Sequence, residues 1–175
     1  MLIDLTELQK KEEIQLAHQY PINTLDWQDD ESTIVSDCSV NLTLRRRGRE
    51  IDLKGQLETD VETFCDRCLI QVKIPIHTTF NLICLSMANL SKTDELILEK
   101  NELDFHFYEN NQIELDDLVC EQIQLALPMS KLCQENCQGL CSECKQNRNL
   151  NVCNCSNKSV DLRWQALTDL KKKLQ

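Results

Sequence analysis

The stretch Val40-Asn-Leu-Thr-Leu-Arg-Arg-Arg-Gly-Arg-Glu-Ile-Asp-Leu-Lys-Gly-Gln-Leu-Glu-Thr-Asp-Val61 decides the architecture. Val40, Leu42 and Leu44 alternate with polar neighbours. After an Arg-rich turn at Gly48, Ile51, Leu53, Leu57 and Val61 resume the period of two. Successive side chains of a strand point to opposite faces, so this pattern predicts two strands with one buried face each, joined as an antiparallel pair. Val72, Ile74, Ile76, Phe80 and Leu82 repeat the pattern, and the break before them holds Cys65-Asp66-Arg67-Cys68. A sheet with one wet side needs its other face covered. The expected fold is therefore α+β: an antiparallel β-sheet or partial barrel closed by two packing helices, with a small C-terminal zinc-binding module.

Upstream, Leu2, Ile3, Leu5 and Leu8 followed by Leu16, Tyr20 and Leu25 predict a short strand and then a helix of poor pattern. Downstream, residues 86–103 are polar and acidic and predict a loop, and Asp104-Phe-His-Phe-Tyr108 predicts one more strand. Leu115, Leu118, Val119, Ile123, Ala126 and Leu127 then fall at helical spacing. Glu114, Asp116 and Asp117 load the first turn, and Pro128 ends the helix, which is expected over residues 114–127. A second helix is predicted from Asp161 to Lys173, with Leu162, Ala166, Leu167 and Leu170 as its stripe. The expected organisation is a sheet domain over 1–128, a cysteine-rich module over 129–157 and a docking helix within 158–175.

A net charge of -10 and a pI near 4.8 remove any protein-wide attraction to nucleic acid or to an anionic membrane. Local contact with RNA or a partner remains open to Arg45, Arg46, Arg47 and Arg49, although four arginines about a turn also make an ordinary solvated tip. No run approaches the roughly 18 apolar residues of a membrane span. The first residues lack the basic and apolar regions of a secretory leader, which predicts a cytoplasmic protein. Eleven cysteines in a reducing compartment point to metal rather than disulfides.

Six of those cysteines lie within residues 133–155, spaced C-x3-C-x3-C-x2-C-x8-C-x-C, with almost no large apolar side chain among them. Burial cannot fold such a segment. Four thiolates around Zn2+ can, at an apparent gain of about 10–16 kcal/mol. Cys141-Ser142-Glu143-Cys144 has the two-residue gap of a knuckle, and Cys153-Asn154-Cys155 is a tighter claw, so Cys141, Cys144, Cys153 and Cys155 form the leading ligand set. Cys133 and Cys137 are either a second pair or substitutes within that site. Cys65 and Cys68, taken with Cys133 and Cys137, would complete a second four-thiolate zinc site between the sheet and the C-terminal segment. Cys38, Cys84 and Cys120 fall outside these groupings.

No catalytic set emerges. His18, His77 and His106 are scattered, there is no Gly-rich phosphate loop or nucleophile signature, and closed all-cysteine sites lack the open position of hydrolytic zinc. The sequence therefore reads as a non-enzyme, with no small-molecule substrate and no membrane partner. The competing class is a zinc-dependent redox-sensing protein that uses Cys65 and Cys68.

Cys65-Asp-Arg-Cys-Leu69 after two strands, Glu121-Gln-Ile-Gln-Leu-Ala-Leu-Pro128 on a helix, Gly139-Leu140-Cys141 within the cysteine cluster, and Asp161-Leu-Arg-Trp-Gln-Ala-Leu167 occur in this order along nearly the whole chain. The combination resembles the YceD family, the large ribosomal RNA subunit accumulation proteins. The resemblance implies a non-enzymatic factor for synthesis, processing or accumulation of 23S ribosomal RNA, whose partner is that RNA or a large-subunit assembly protein. Lys145 stands where family members often have Gly, and Lys131 where Pro is common. Some members lack the C-terminal cysteines, which implies that the shared function lives on the sheet domain and the helix ending at Pro128. Arg67 then either pins the knuckle by a salt bridge, with Glu121 as the expected acid, or contacts RNA or a partner.

Overall fold

The computed structural model describes residues 1–9, 11–48, 50–87 and 105–155. The expected C-terminal helix, most of the acidic 86–103 stretch and Arg49 lie outside them.

Period-two burial organises the sheet. Strand β4 (Cys38–Arg47) and strand β5 (Glu50–Phe64) pair antiparallel across the Gly48 turn, from Ser39 opposite Glu58 to Arg47 opposite Glu50. β5 then pairs along its whole length with β6 (Gln71–Ser86), from Phe64 opposite Gln71 to Glu50 opposite Leu85. Two shorter strands add to the β4 side: β2 (Glu13–Tyr20) pairs with β4, and β3 (Ser32–Ile34) pairs with the distal part of β5. Gly55 faces Phe80 across the β5–β6 pair, and a Cβ at Gly55 would meet the ring at 2.1 Å. The ring occupies the space that a side chain would need.

Two expectations are corrected. Residues 13–20, expected as part of a poor helix, form β2, because Ile14, Leu16, His18 and Tyr20 share its inner side and pair against β4. His18 masks this alternation in the sequence, yet in the structure its ring lies edge-on to that of Tyr20 at 4.4 Å. The sheet is also mixed rather than purely antiparallel. β7 (Phe105–Tyr108) runs parallel to the end of β6, with Ile83 opposite Phe105. Residues 87–104 separate these two strands in the chain, so connectivity does not impose the hairpin direction. β6 itself continues to Ser86, into the expected loop.

One face of the sheet is closed, among the described residues, by one α-helix and a short 3-10 helix at Leu5–Gln9 that buries Leu5 and Leu8. β1 (Leu2–Asp4) pairs with β8 (Gln112–Glu114), which leads directly into α1 (Leu115–Ala126). Leu115, Leu118, Val119 and Ile123 of α1 are fully buried against Val40, Leu44, Leu53, Leu57 and Val61 of the sheet. The residue before a proline is pushed out of the helical region. Leu127 accordingly turns extended, at φ -64° and ψ 133°, and ends α1 ahead of Pro128. No helix among the described residues is long and apolar enough to cross a membrane.

Candidate metal centres

The hairpin between β5 and β6 ends in the first knuckle. Cys65 N–H donates to the Ile70 carbonyl at 2.8 Å, and Leu69 N–H donates to the Cys65 carbonyl at 2.9 Å, with Leu69 left-handed at φ 59°. This tight fold turns Cys65 and Cys68 inward, where they are 0% and 3% exposed. The chain after Pro128 is then clasped across the knuckle: Asp66 N–H donates to the Lys131 carbonyl at 2.8 Å, and Lys131 N–H donates to Asp66 Oδ2 at 2.7 Å. Cys133 and Cys137 arrive beside Cys65 and Cys68 as a result. The sulfurs of Cys65 and Cys137 lie 3.8 Å apart, and those of Cys68 and Cys133 lie 3.6 Å apart. A tetrahedron of thiolates at about 2.3 Å from Zn2+ has edges of about 3.8 Å, whereas a disulfide brings sulfurs to about 2.0 Å. All four cysteines are free thiols at a separation that suits a metal ion.

The second knuckle repeats the first bond for bond. Cys141 N–H donates to the Gln146 carbonyl at 2.9 Å, Lys145 N–H donates to the Cys141 carbonyl at 3.0 Å, and Lys145 is left-handed at φ 58°. Lys145, where the resemblance leads one to expect glycine, thus adopts the left-handed conformation that glycine favours. Cys153 and Cys155 close the group, and the four ligand sulfurs lie within 4.8 Å of one another. The two clusters differ in exposure. The first is almost entirely enclosed, whereas in the second Cys144 is exposed and Cys153 and Cys155 are half-buried.

Both clusters are polarised towards thiolate by backbone N–H groups. Burial pushes the Cys65 thiol up, but N–H groups of Arg67, Cys133 and Cys68 outweigh it and bring the group to about 6. The N–H groups of Cys144 and Glu143 do the same for Cys141, also to about 6. Burial and the neighbouring sulfurs push Cys133 up to about 12, and the Cys144 sulfur together with burial pushes Cys155 to about 12. Cys65 and Cys141 are thus drawn towards the thiolate, and Cys133 and Cys155 away from it. A dication within a cluster favours the thiolate form of all four of its cysteines.

Arg67 lies at the junction between the clusters. It forms no ion pair with Glu121; its Nη1 donates to the Cys137 carbonyl at 3.0 Å. Its own carbonyl accepts Leu140 N–H at 3.1 Å. Gly139 passes so close that a Cβ there would lie 3.0 Å from that carbonyl oxygen, and its φ is +70°. Arg45, Arg46 and Arg47 sit at the opposite end of β5. Arg47 Nε pairs with Asp52 at 2.9 Å, and Arg46 Nε donates to the Gly48 carbonyl at 3.2 Å. The 15 residues of β5 separate this tip from the knuckle by roughly 45–50 Å at about 3.3 Å per residue. The tip and Arg67 therefore belong to two distant surfaces.

One residue at the site carried no sequence signal. Asn149, in the loop of the second cluster, donates from Nδ2 to the Cys137 sulfur of the first at 3.2 Å. Burial raises the Cys137 thiol, and this amide together with Gly139 N–H draws it below its ordinary value. Side chain to sulfur bonds of this kind follow no spacing rule.

A family model described as "Large ribosomal RNA subunit accumulation protein YceD" matches residues 53–171, more than half of the chain. Neither a curated protein nor a solved structure matches it. The matched span begins within β5, so it includes the first knuckle, α1 and both cysteine clusters but not Arg45, Arg46 and Arg47.

Proposed function

Because this chain belongs to the YceD family of large ribosomal RNA subunit accumulation proteins, we propose that it is a non-catalytic factor in the synthesis, processing or accumulation of 23S ribosomal RNA. The match over residues 53–171 carries the reading. In this proposal each cysteine cluster holds one structural Zn2+: Cys65, Cys68, Cys133 and Cys137 tie the segment after Pro128 to the sheet, and Cys141, Cys144, Cys153 and Cys155 order the piece beyond. The choice of zinc rests on donor chemistry, since four thiolates at tetrahedral spacing suit it. Four sulfurs fill the coordination sphere and leave no position for a reacting water.

The partner is ribosomal RNA or a large-subunit assembly protein. A net charge of -10 favours the protein route, because direct RNA binders carry a basic face. Arg45, Arg46 and Arg47 lie outside the family match, and one of them is already paired with Asp52. The redox alternative at Cys65 and Cys68 is disfavoured by their enclosure, since a sensing thiol must be reached by its oxidant.

Depleting the protein from its host is expected to lower 23S relative to 16S ribosomal RNA and to reduce free large subunits. An unchanged ratio with normal subunit profiles refutes the proposal. Metal analysis of purified protein is expected to return two zinc ions per chain, and X-ray absorption four sulfurs around each.

A further inference from the structure

Taken singly, the two clusters are separate staples, one tying the C-terminal segment to the sheet and one folding the segment itself. The contacts between them join the two. Cys144 and Cys153 bound the loop that carries Asn149, and that loop has no apolar core: Leu150 is 76% exposed and Val152 95%. Its order depends on closure of the second cluster. Asn149 reaches out of this loop to the first cluster. Its Oδ1 accepts Gln138 N–H at 2.7 Å, and its Nδ2 donates to Cys137 Sγ at 3.2 Å and to Asn147 Oδ1 at 2.9 Å. A backbone N–H can only donate, so it fixes which end of the amide is oxygen and leaves the N–H2 end facing the sulfur. Asn149 N–H also binds Asn147 Oδ1, at 2.9 Å, which holds the side chain in register with its own turn.

We propose that Asn149 is a positioning residue that couples the two metal sites, so that filling the second cluster strengthens metal binding at the first. The inference rests on the zinc reading above. A hydrogen bond from an amide stabilises thiolate over thiol, and a closed second cluster ties down both ends of the loop that presents it. Coupling of this kind is reciprocal, so metal in the first cluster strengthens the second by the same factor. Arg148 N–H donating to the Gly139 carbonyl at 3.0 Å and the bridge between Leu140 and Asn147 hold the loop against the segment that carries Cys137. Asn149 delivers a side-chain donor to a ligand sulfur of the other cluster.

The test uses the full chain loaded with 113Cd2+, which reports each thiolate site as its own NMR resonance, together with zinc affinities from competition with a chromophoric chelator. Four proteins are compared: native, Asn149→Ala, Cys153→Ser with Cys155→Ser, and the combination. Losing a partner outside the ligand sphere is expected to weaken the first site roughly 10- to 100-fold. Disabling the second cluster should cost a similar factor in the native chain and little more in the Asn149→Ala background. Asn149→Ala should also move the first-site resonance, although residue 149 belongs to the loop of the second. Should Asn149→Ala fail to fold, Asn149→Asp decides. It keeps the acceptor for Gln138 N–H but sets a like charge against the Cys137 sulfur, so the first site should weaken at least as much while the second-site resonance persists. A first site indifferent to both Asn149 variants, or equally weakened by loss of the second cluster in both backgrounds, overturns the coupling. A native chain that binds fewer than two metal ions defeats the zinc reading itself, a result separable from two ions bound without coupling.

Discussion

Replacing Gly139 by alanine puts the junction between the clusters to a quantitative test. Gly139 is left-handed, at φ +70°, and a Cβ there would lie 3.0 Å from the carbonyl oxygen of Arg67. The left-handed backbone costs an L-residue about 1–2 kcal/mol. The Arg67 carbonyl cannot retreat freely because it accepts Leu140 N–H at 3.1 Å, and giving up part of that bond costs about 0.5–1.5 kcal/mol. The gross sum is about 1.5–3.5 kcal/mol; the lower unfolded-state entropy of alanine offsets about 0.5–1 kcal/mol of it, leaving about 1–2.5 kcal/mol, roughly 5- to 60-fold in an equilibrium constant. Since the segment has no apolar core to absorb the loss, it should appear as weaker zinc binding in a chelator competition. Gly48→Ala is the control. Gly48 is also left-handed, at φ +63°, but has no atom within 4 Å of the Cβ position and lies at the other end of β5. That substitution should cost about 0.5–1 kcal/mol net in urea unfolding of the sheet, the left-handed cost of about 1–2 kcal/mol less about 0.5–1 kcal/mol of glycine entropy, and leave zinc affinity unchanged. Gly139→Ala with zinc affinity within threefold of native, or Gly48→Ala weakening zinc as much as Gly139→Ala, refutes the reasoning.

Exposure predicts an order of reactivity: under native conditions iodoacetamide followed by peptide mapping should label Cys144, and then Cys153 and Cys155, well before Cys65, Cys68 and Cys137, which stay inert until the protein unfolds. Lys145→Gly should stabilise, because it removes a left-handed cost of about 1–2 kcal/mol and adds about 0.5–1 kcal/mol of glycine entropy in the unfolded chain, a net gain of about 0.5–1 kcal/mol read in chelator resistance. Metal binding should tighten as pH rises from 6 to 8. Cys133 and Cys155, pushed to about 12 without metal, keep their protons at neutral pH and must lose them to bind, so proton uptake competes with the metal; a pH-independent affinity would contradict the thiolate assignment.

Local patterns of residues specify the strands of the long hairpins, the helix that ends at Pro128 and the cysteine pairs with metal-ligand spacing. These are local properties: period-two burial in β4, β5 and β6, the 3.6-residue stripe of α1, and knuckles whose two-residue gap is written in the chain. They do not specify the direction of β7, because a distant strand can join β6 either way, or the strand character of residues 13–20, where His18 interrupts the apolar pattern until β4 supplies a partner. Counting leftover thiols could group Cys133 and Cys137 with Cys65 and Cys68, but only the tertiary structure gives the cause: the turn of β5 and β6 presents one pair, and the Asp66–Lys131 clasp delivers the other. The same is true of Arg67 and Asn149. Their partners are a carbonyl and a sulfur on another segment, and contacts of that kind are fixed by how the chain packs, which no local pattern of residue types records.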